Sequence, residues 1–72
     1  MVPKLRALRA IRERQFLTQG DLAKRSGVSR VSINRIEREI LEPRFSTIRK
    51  LARALKVEPT ALVGPETAEG SD

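Results

Sequence analysis

The sequence contains no cysteine, histidine, tryptophan or tyrosine, and only two phenylalanines. Without cysteine there is neither a disulfide nor a thiolate metal site to stabilise the fold, which favours an intracellular, cytoplasmic location. Acid–base and metal chemistry would rest on scattered carboxylates alone, and no glycine-rich phosphate loop is present. We therefore expect no enzymatic activity, no cofactor and no bound metal.

Long apolar runs are also missing, since no uninterrupted stretch exceeds two or three residues. A membrane-spanning helix needs about 20 apolar residues, and a secretory signal needs an apolar region of about 7–15. The sequence has neither, so we expect no membrane association. Its 72 residues allow one small domain with little stability in reserve.

Positive charge is abundant and unevenly distributed. All fifteen Lys and Arg residues lie within residues 1–56, which carry a net charge of +10, whereas residues 57–72 have four acids and no base. Eleven of the fifteen bases are arginine, which suits bidentate contacts with phosphate and guanine better than lysine does. A compact basic domain favours a polyanionic partner because phosphate neutralisation releases counterions, although a basic chain can also simply be soluble.

Residues 18–38 predict two short helices joined by a tight turn. Thr18 can cap the first helix, and Asp21 favours its positive end. Gly27 suits the left-handed backbone that ends a helix, and Ser29 is a favourable N-cap for the next one. Two helices separated by a turn of three or four residues are typical of a helix-turn-helix DNA reader.

The second of these helices, residues 30–38, separates buried from exposed side chains. At about 100° per residue, Ile33 and Ile36 define the buried stripe, and Val31 points almost directly away from it. A valine at the most exposed position is explained if this face meets thymine methyl groups while Arg and Asn side chains meet base edges. The alternative is a solvated helix with one stray apolar residue. The residues that point outward or lie on the shoulder are Arg30, Val31, Asn34, Arg35 and Arg38.

Six sequence elements, in order, resemble the Cro/CI-type (Xre) family of helix-turn-helix regulators. The resemblance implies an all-α, lambda-repressor-like bundle of five helices whose second and third helices form the DNA-reading unit. It also implies a dimer on a two-fold symmetric operator. The elements are Leu5-x-x-Leu8-Arg9, Leu17-Thr18-Gln19-x-x-Leu22-Ala23, Gly27-Val28-Ser29, Ile33-x-x-Ile36-Glu37, Pro43-x-Phe45 and Leu51-Ala52-x-Ala54-Leu55-x-Val57.

We expect one helix-turn-helix domain over residues 1–64 and an acidic, flexible tail over residues 65–72, which have too little apolar content to fold. The helix boundaries follow from proline positions, N-cap residues such as Ser46 and apolar periodicity. Besides the two helices within residues 18–38, the expected helices run from about Pro3 to Gln15, from Thr47 to Leu55 and over residues 57–63.

Several positions depart from the family pattern. Phe16 stands where Gly or Asn commonly ends the first helix, and we expect it to be a core or interface residue. Glu39 stands where many relatives have glycine, which makes a left-handed turn less favourable. Ile40 and Leu41 stand where relatives have basic residues, so these two either fold back onto the core or contact another protein.

The resemblance implies roles for several side chains in and around the reading unit. Arg12 would pair with Glu37 and lock the first helix to the third, unless both are solvated surface charges. Gln19 would hydrogen-bond the DNA backbone and support the reading helix, and Arg44 could reach the neighbouring minor groove. The expected DNA contacts are Thr18, Gln19, Ser29, Arg30, Val31, Ser32, Asn34, Arg35, Arg38 and Arg44, with Lys24 as a further phosphate contact.

Two functions remain open. The first is a sequence-specific DNA-binding transcriptional regulator, most often a repressor, that binds double-stranded DNA as a homodimer and is nucleoid-associated when bound. The second is a protein-interaction module, such as an antitoxin or adaptor, that holds a partner through Ile40, Leu41 and the last helix. We expect the dimer contact at Leu62 and Val63, joined by Ile40 and Leu41. Salt-dependent binding to random DNA distinguishes the two functions.

Overall fold

The computed structural model describes residues 4–64. This part of the chain is all-helical, as expected, but it contains four α-helices, and the last of the five expected helices is a short 3₁₀ turn. Pro3, where the first helix was expected to begin, and the expected tail over residues 65–72 lie outside the described residues. The elements are α1 (Leu8–Arg14), α2 (Gln19–Ser26), α3 (Arg30–Glu37), α4 (Phe45–Leu55) and the 3₁₀ turn Pro59–Leu62.

Side-chain caps begin α2 and α3, as the sequence predicts. Thr18 Oγ1 accepts a hydrogen bond from the Asp21 N–H at 2.9 Å, and Asp21 Oδ2 accepts one from the Thr18 N–H at 2.9 Å. Ser29 Oγ accepts from the Ser32 N–H at 3.1 Å. Gly27, with a φ of 78°, ends α2 in the left-handed conformation. The intervening turn is therefore short, and it holds α2 and α3 in a defined relation.

α1 and α4 begin at residues other than those expected. Residues 4–7 are not helical, and α1 begins at Leu8 because the Ala7 N–H is hydrogen-bonded to the Leu62 carbonyl at 2.9 Å instead of extending the helix. Ser46 lies inside α4 and is not its N-cap; Arg44 holds the cap position without a side-chain hydrogen bond. The start of α1 is therefore set by a long-range hydrogen bond and not by a proline. The start of α4 has no side-chain cap, although the sequence offers Ser46 as one.

The hydrophobic core lies where α2 packs against α3 and α4, and where α4 packs against the 3₁₀ turn. α4 contributes the four-residue apolar stripe that its periodicity predicts. Full burial of one such aliphatic side chain stabilises the fold by about 1.5–3 kcal/mol. The largest fully buried side chains are Leu8, Leu22, Ile33, Ile36, Leu51, Leu55 and Leu62.

Leu62 is a core residue, so its assignment to a dimer contact is wrong. Its side chain has no exposed surface, and Val63 is half-buried and packs against the same core. Ile40 and Leu41, by contrast, are exposed over 62% and 39% of their surfaces. The interpretation that they fold back onto the core is therefore also wrong.

Three helices end on a residue other than glycine with a left-handed backbone: Phe16, Glu39 and Lys56 each have a φ of 59°. At the end of α1, the Phe16 N–H bonds to the Glu13 carbonyl at 2.9 Å and the Leu17 N–H bonds to the Arg12 carbonyl at 3.2 Å. Leu17 is buried, whereas Phe16 is 93% exposed. Phe16 is therefore not a core residue, because Leu17 makes the apolar contact at this turn.

Within residues 4–64, no helix combines the length and the apolar character that crossing a membrane requires.

Candidate nucleic-acid interface

A bidentate ion pair joins α1 to α3. Arg12 Nε donates to Glu37 Oε2 at 2.7 Å and Arg12 Nη2 donates to Glu37 Oε1 at 3.1 Å. Arg12 Nη1 also donates to the Leu17 carbonyl at 2.7 Å. The Arg12 and Glu37 side chains are only 9% and 4% exposed, so the alternative of two solvated charges is wrong. The hydrogen bond with Glu37 raises the pKa of Arg12, and burial, which lowers it, is the smaller effect.

Gln19 links this ion pair to the middle of α3. Its Nε2 donates to Glu37 Oε1 at 3.0 Å, and its Oε1 accepts from Asn34 Nδ2 at 3.4 Å. Both contacts agree with the expectation that Gln19 supports the reading helix, but the sequence did not identify Glu37 and Asn34 as its partners. They join residues 18 and 15 positions apart, so they depend on how α2 packs against α3 and leave no local sequence signal.

The outer face of α3 is exposed and basic. Val31 is 59% exposed, as predicted, and Arg35 and the C-cap residue Arg38 are also exposed. Gln19, Arg30, Val31 and Asn34 line one surface recess. This face therefore combines an apolar group, a guanidinium and an amide, which are the chemical groups that read base edges in a major groove.

The beginning of α2 borders a second recess. Arg12, Thr18, Gln19, Gly20 and Arg30 line it. The first N–H groups of a helix and the positive end of its dipole attract anions, and Arg30 adds a full positive charge. The recess is therefore suited chemically to a phosphate group next to the face of α3.

Ser32 and Arg44 lie away from the recess that contains Val31 and Asn34. Ser32 is half-buried, and its Oγ accepts a hydrogen bond from Ser29 Oγ at 2.9 Å. Ser32 and Arg44 line a different recess, which Leu41 also borders. The structure thus brings Arg30, Val31 and Asn34 together but separates Ser32 from them.

Residues 8–62 match the protein family described as Helix-turn-helix, and this segment contains α2, the glycine turn and α3. The chain belongs to the helix-turn-helix family. The helix-turn-helix unit consists of α2 and α3, and α1 and α4 complete the domain around it.

Two relatives of this helix-turn-helix chain are named as repressors. The Immunity repressor protein of Bacillus phage phi105 is 40% identical over 60 residues, which cover 83% of this chain and 42% of the relative. The HTH-type transcriptional repressor RghR of Bacillus subtilis (strain 168) is 51% identical over 51 residues, which cover 69% of this chain and 38% of the relative. The chain thus spans less than half the length of these relatives. Neither name describes an enzyme, in agreement with the expectation from composition.

A solved structure supports the fold over nearly the whole helix-turn-helix chain. The crystal structure described as a hypothetical transcription factor NHTF from Neisseria superposes with a TM-score of 0.78 and is 28% identical. The similarity covers 99% of this chain and 89% of that one.

Proposed function

We propose that this chain is a sequence-specific DNA-binding transcriptional regulator that acts as a repressor. The observation that carries the proposal is the outer face of α3, where Val31 is 59% exposed beside exposed arginines. The buried Arg12–Glu37 pair holds this helix against α1, so the face is presented in one orientation. The names of the repressor relatives support the same function.

Base recognition is assigned to Arg30, Val31 and Asn34, which border the first recess, and to Arg35. Arg30 and Arg35 carry the donor fork that pairs with guanine, and Asn34 carries the amide that pairs with adenine. Val31 supplies an apolar contact for a thymine methyl group. Ser32, on the shoulder of α3, would contact only a base at the edge of the site.

Phosphate contacts set the register of the protein on the duplex but carry little sequence information. The recess at the start of α2 is suited to one such phosphate. Arg44, exposed at the N-cap of α4, could enter the neighbouring minor groove, whose negative potential attracts arginine. The residues assigned to the DNA backbone are Thr18, Gln19, Lys24, Ser29 and Arg38.

A homodimer is proposed because one reading helix contacts only a few base pairs. With Leu62 in the core and Val63 packed against it, the exposed Ile40 and Leu41, which directly follow the left-handed residue Glu39, are the apolar residues assigned to the contact. Two protomers related by a two-fold axis would place their α3 helices about 34 Å apart on one face of the DNA. The operator would then be a pseudo-palindrome with half-sites about one helical turn apart, bound at the nucleoid.

The test is selection of bound duplexes from a random-sequence library, followed by affinity measurements over a range of salt concentrations. We expect a pseudo-palindromic site and an affinity that falls steeply as salt rises. Failure to bind random duplex at low salt would contradict the proposal and favour an antitoxin or adaptor function.

The dimer is tested separately with the double variant Ile40→Asp/Leu41→Asp. Because both side chains are exposed, it should fold, lose tight operator binding and keep weak non-specific binding. The matched control Arg49→Asp places an acid on an exposed position of α4 and should keep the dimer. An Ile40→Asp/Leu41→Asp variant that remains a dimer on the operator would refute the assigned contact. That result would favour a different protein partner for these two side chains.

A further inference from the structure

We propose that Glu37 is a positioning residue for base recognition. Its negative charge determines the direction in which the Gln19 and Asn34 amides hydrogen-bond, and this direction determines the base that Asn34 prefers. The proposal rests on the proposed DNA-binding function and adds a specificity role for a side chain that is only 4% exposed.

The first step follows from the chemistry of the carboxylate. Glu37 Oε1 lies 3.1 Å from Arg12 Nη2 and 3.0 Å from Gln19 Nε2. An ionised carboxylate can accept hydrogen bonds but has no proton to donate. Gln19 must therefore turn its NH₂ group toward Glu37 and its carbonyl oxygen away.

The second step concerns the effect of this Gln19 orientation on Asn34. The Gln19 oxygen that faces away from Glu37 accepts from Asn34 Nδ2 at 3.4 Å. Within residues 4–64, the Asn34 side chain makes no further hydrogen bond. Its Oδ1 and the second N–H of its amide therefore remain available to a base.

The third step concerns the base that fits. Asn34 is half-buried and borders the same recess as Arg30 and Val31, so it lies at the edge of the outer face of α3. One acceptor and one donor match the N6 amino group and the N7 atom of adenine in the major groove. Guanine and thymine present an acceptor, O6 or O4, where Asn34 Oδ1 would need a donor. The ionised Glu37 thus selects adenine through Gln19 and Asn34.

The decisive variant is Glu37→Gln, which keeps the shape and removes the charge. An amide at this position can both donate and accept, so the Gln19–Asn34 chain can run in either direction. In selection from a random duplex library, we expect adenine preference to fall by about tenfold at one base position and to stay unchanged elsewhere. Asn34→Ala identifies that position, because it removes the reading group itself.

Glu13→Gln is the matched control. It removes the other carboxylate near Arg12, at 3.9 Å, but that carboxylate is 54% exposed and makes no hydrogen bond to Gln19. We expect the selected sequence to be that of the unmodified chain. Loss of adenine preference in this control would overturn the proposal, since any change of charge near Arg12 would then have the same effect.

Gln19→Met keeps the proposal testable if Glu37→Gln fails to fold, because it leaves the Arg12–Glu37 pair intact and interrupts the chain of amides. We expect it to relax the same single base position, with folding checked by circular dichroism. Because Gln19 is also assigned to a phosphate, some loss of affinity for all duplexes is expected as well. A uniform loss without any change of base preference would overturn the proposal, since Gln19 would then act only on the fold or on a phosphate. A wild-type chain that selects no sequence would refute the proposed function, whereas a selected site unchanged in these variants would refute only the role of Glu37.

Discussion

Arg12 on α1 and Glu37 at the end of α3 are joined by two hydrogen bonds, of 2.7 and 3.1 Å, although 25 positions separate them in the sequence. Both side chains are largely buried, so each charge relies on the other for the interactions that water would otherwise supply. The pair therefore joins α3 to α1, and we expect its loss to lower the stability of the domain.

Arg12→Met should lower the free energy of unfolding by about 3–5 kcal/mol, because it leaves the Glu37 carboxylate buried without its ion-pair partner. Urea unfolding followed by circular dichroism measures this loss. Arg9→Met is the control on the same helix: its ion pair with Glu13 is 70% and 54% exposed, and such pairs contribute less than about 1 kcal/mol. The double variant Arg12→Met/Glu37→Leu should regain much of the lost stability, and equal instability of the single and double variants would contradict this account.

Arg35→Ala should weaken specific binding by about 1–3 kcal/mol and relax the preference at one base position, because Arg35 is exposed on the outer face of α3. Selection and competition binding measure both effects. Arg38→Ala provides the contrast, since loss of a phosphate contact should weaken binding to all duplexes alike and flatten the salt dependence by about one unit. An unchanged selected sequence for Arg35→Ala would remove Arg35 from the base-reading residues.

Phe16→Gly should raise the free energy of unfolding by about 0.5–1 kcal/mol. Phe16 has a φ of 59°, which glycine adopts without steric cost, and its ring is too exposed to contribute much packing. Thermal and urea unfolding measure the gain. Ala10→Gly, at an exposed position inside α1, should instead lower stability by about 1 kcal/mol. A loss of stability in Phe16→Gly would show that the ring makes a stabilising contact.

Asp21→Asn should reveal how the capping box depends on pH. The hydrogen bond from the Thr18 backbone holds the pKa of Asp21 below its ordinary value of 3.8. Because the folded-state pKa is depressed, the charge of Asp21 stabilises the fold above the ordinary pKa, and this stabilisation is lost as the pH falls through the folded value. The wild type should therefore be more stable than Asp21→Asn at neutral pH, with the difference shrinking below about pH 4 in urea unfolding. A difference that stays constant with pH would contradict this prediction.

Much of the helix-turn-helix unit is determined by residues close together in the sequence. Thr18 and Asp21 cap each other across one turn, and Gly27 adopts the left-handed conformation that a side chain disfavours. The same holds for the stripe of Ile33 and Ile36, which one helical turn places on one face. These features could be predicted because each depends on interactions within about one turn of helix.

Other features were decided only by the tertiary structure. The sequence determined that Leu62, Ile40 and Leu41 are apolar, but not that Leu62 fills the core while the other two stay exposed. It likewise determined the amide of Gln19, but not that α2 and α3 pack so that this amide reaches Glu37. Burial and long-range hydrogen bonds depend on where separate helices meet, and the local periodicity of one helix carries no information about that distance or angle.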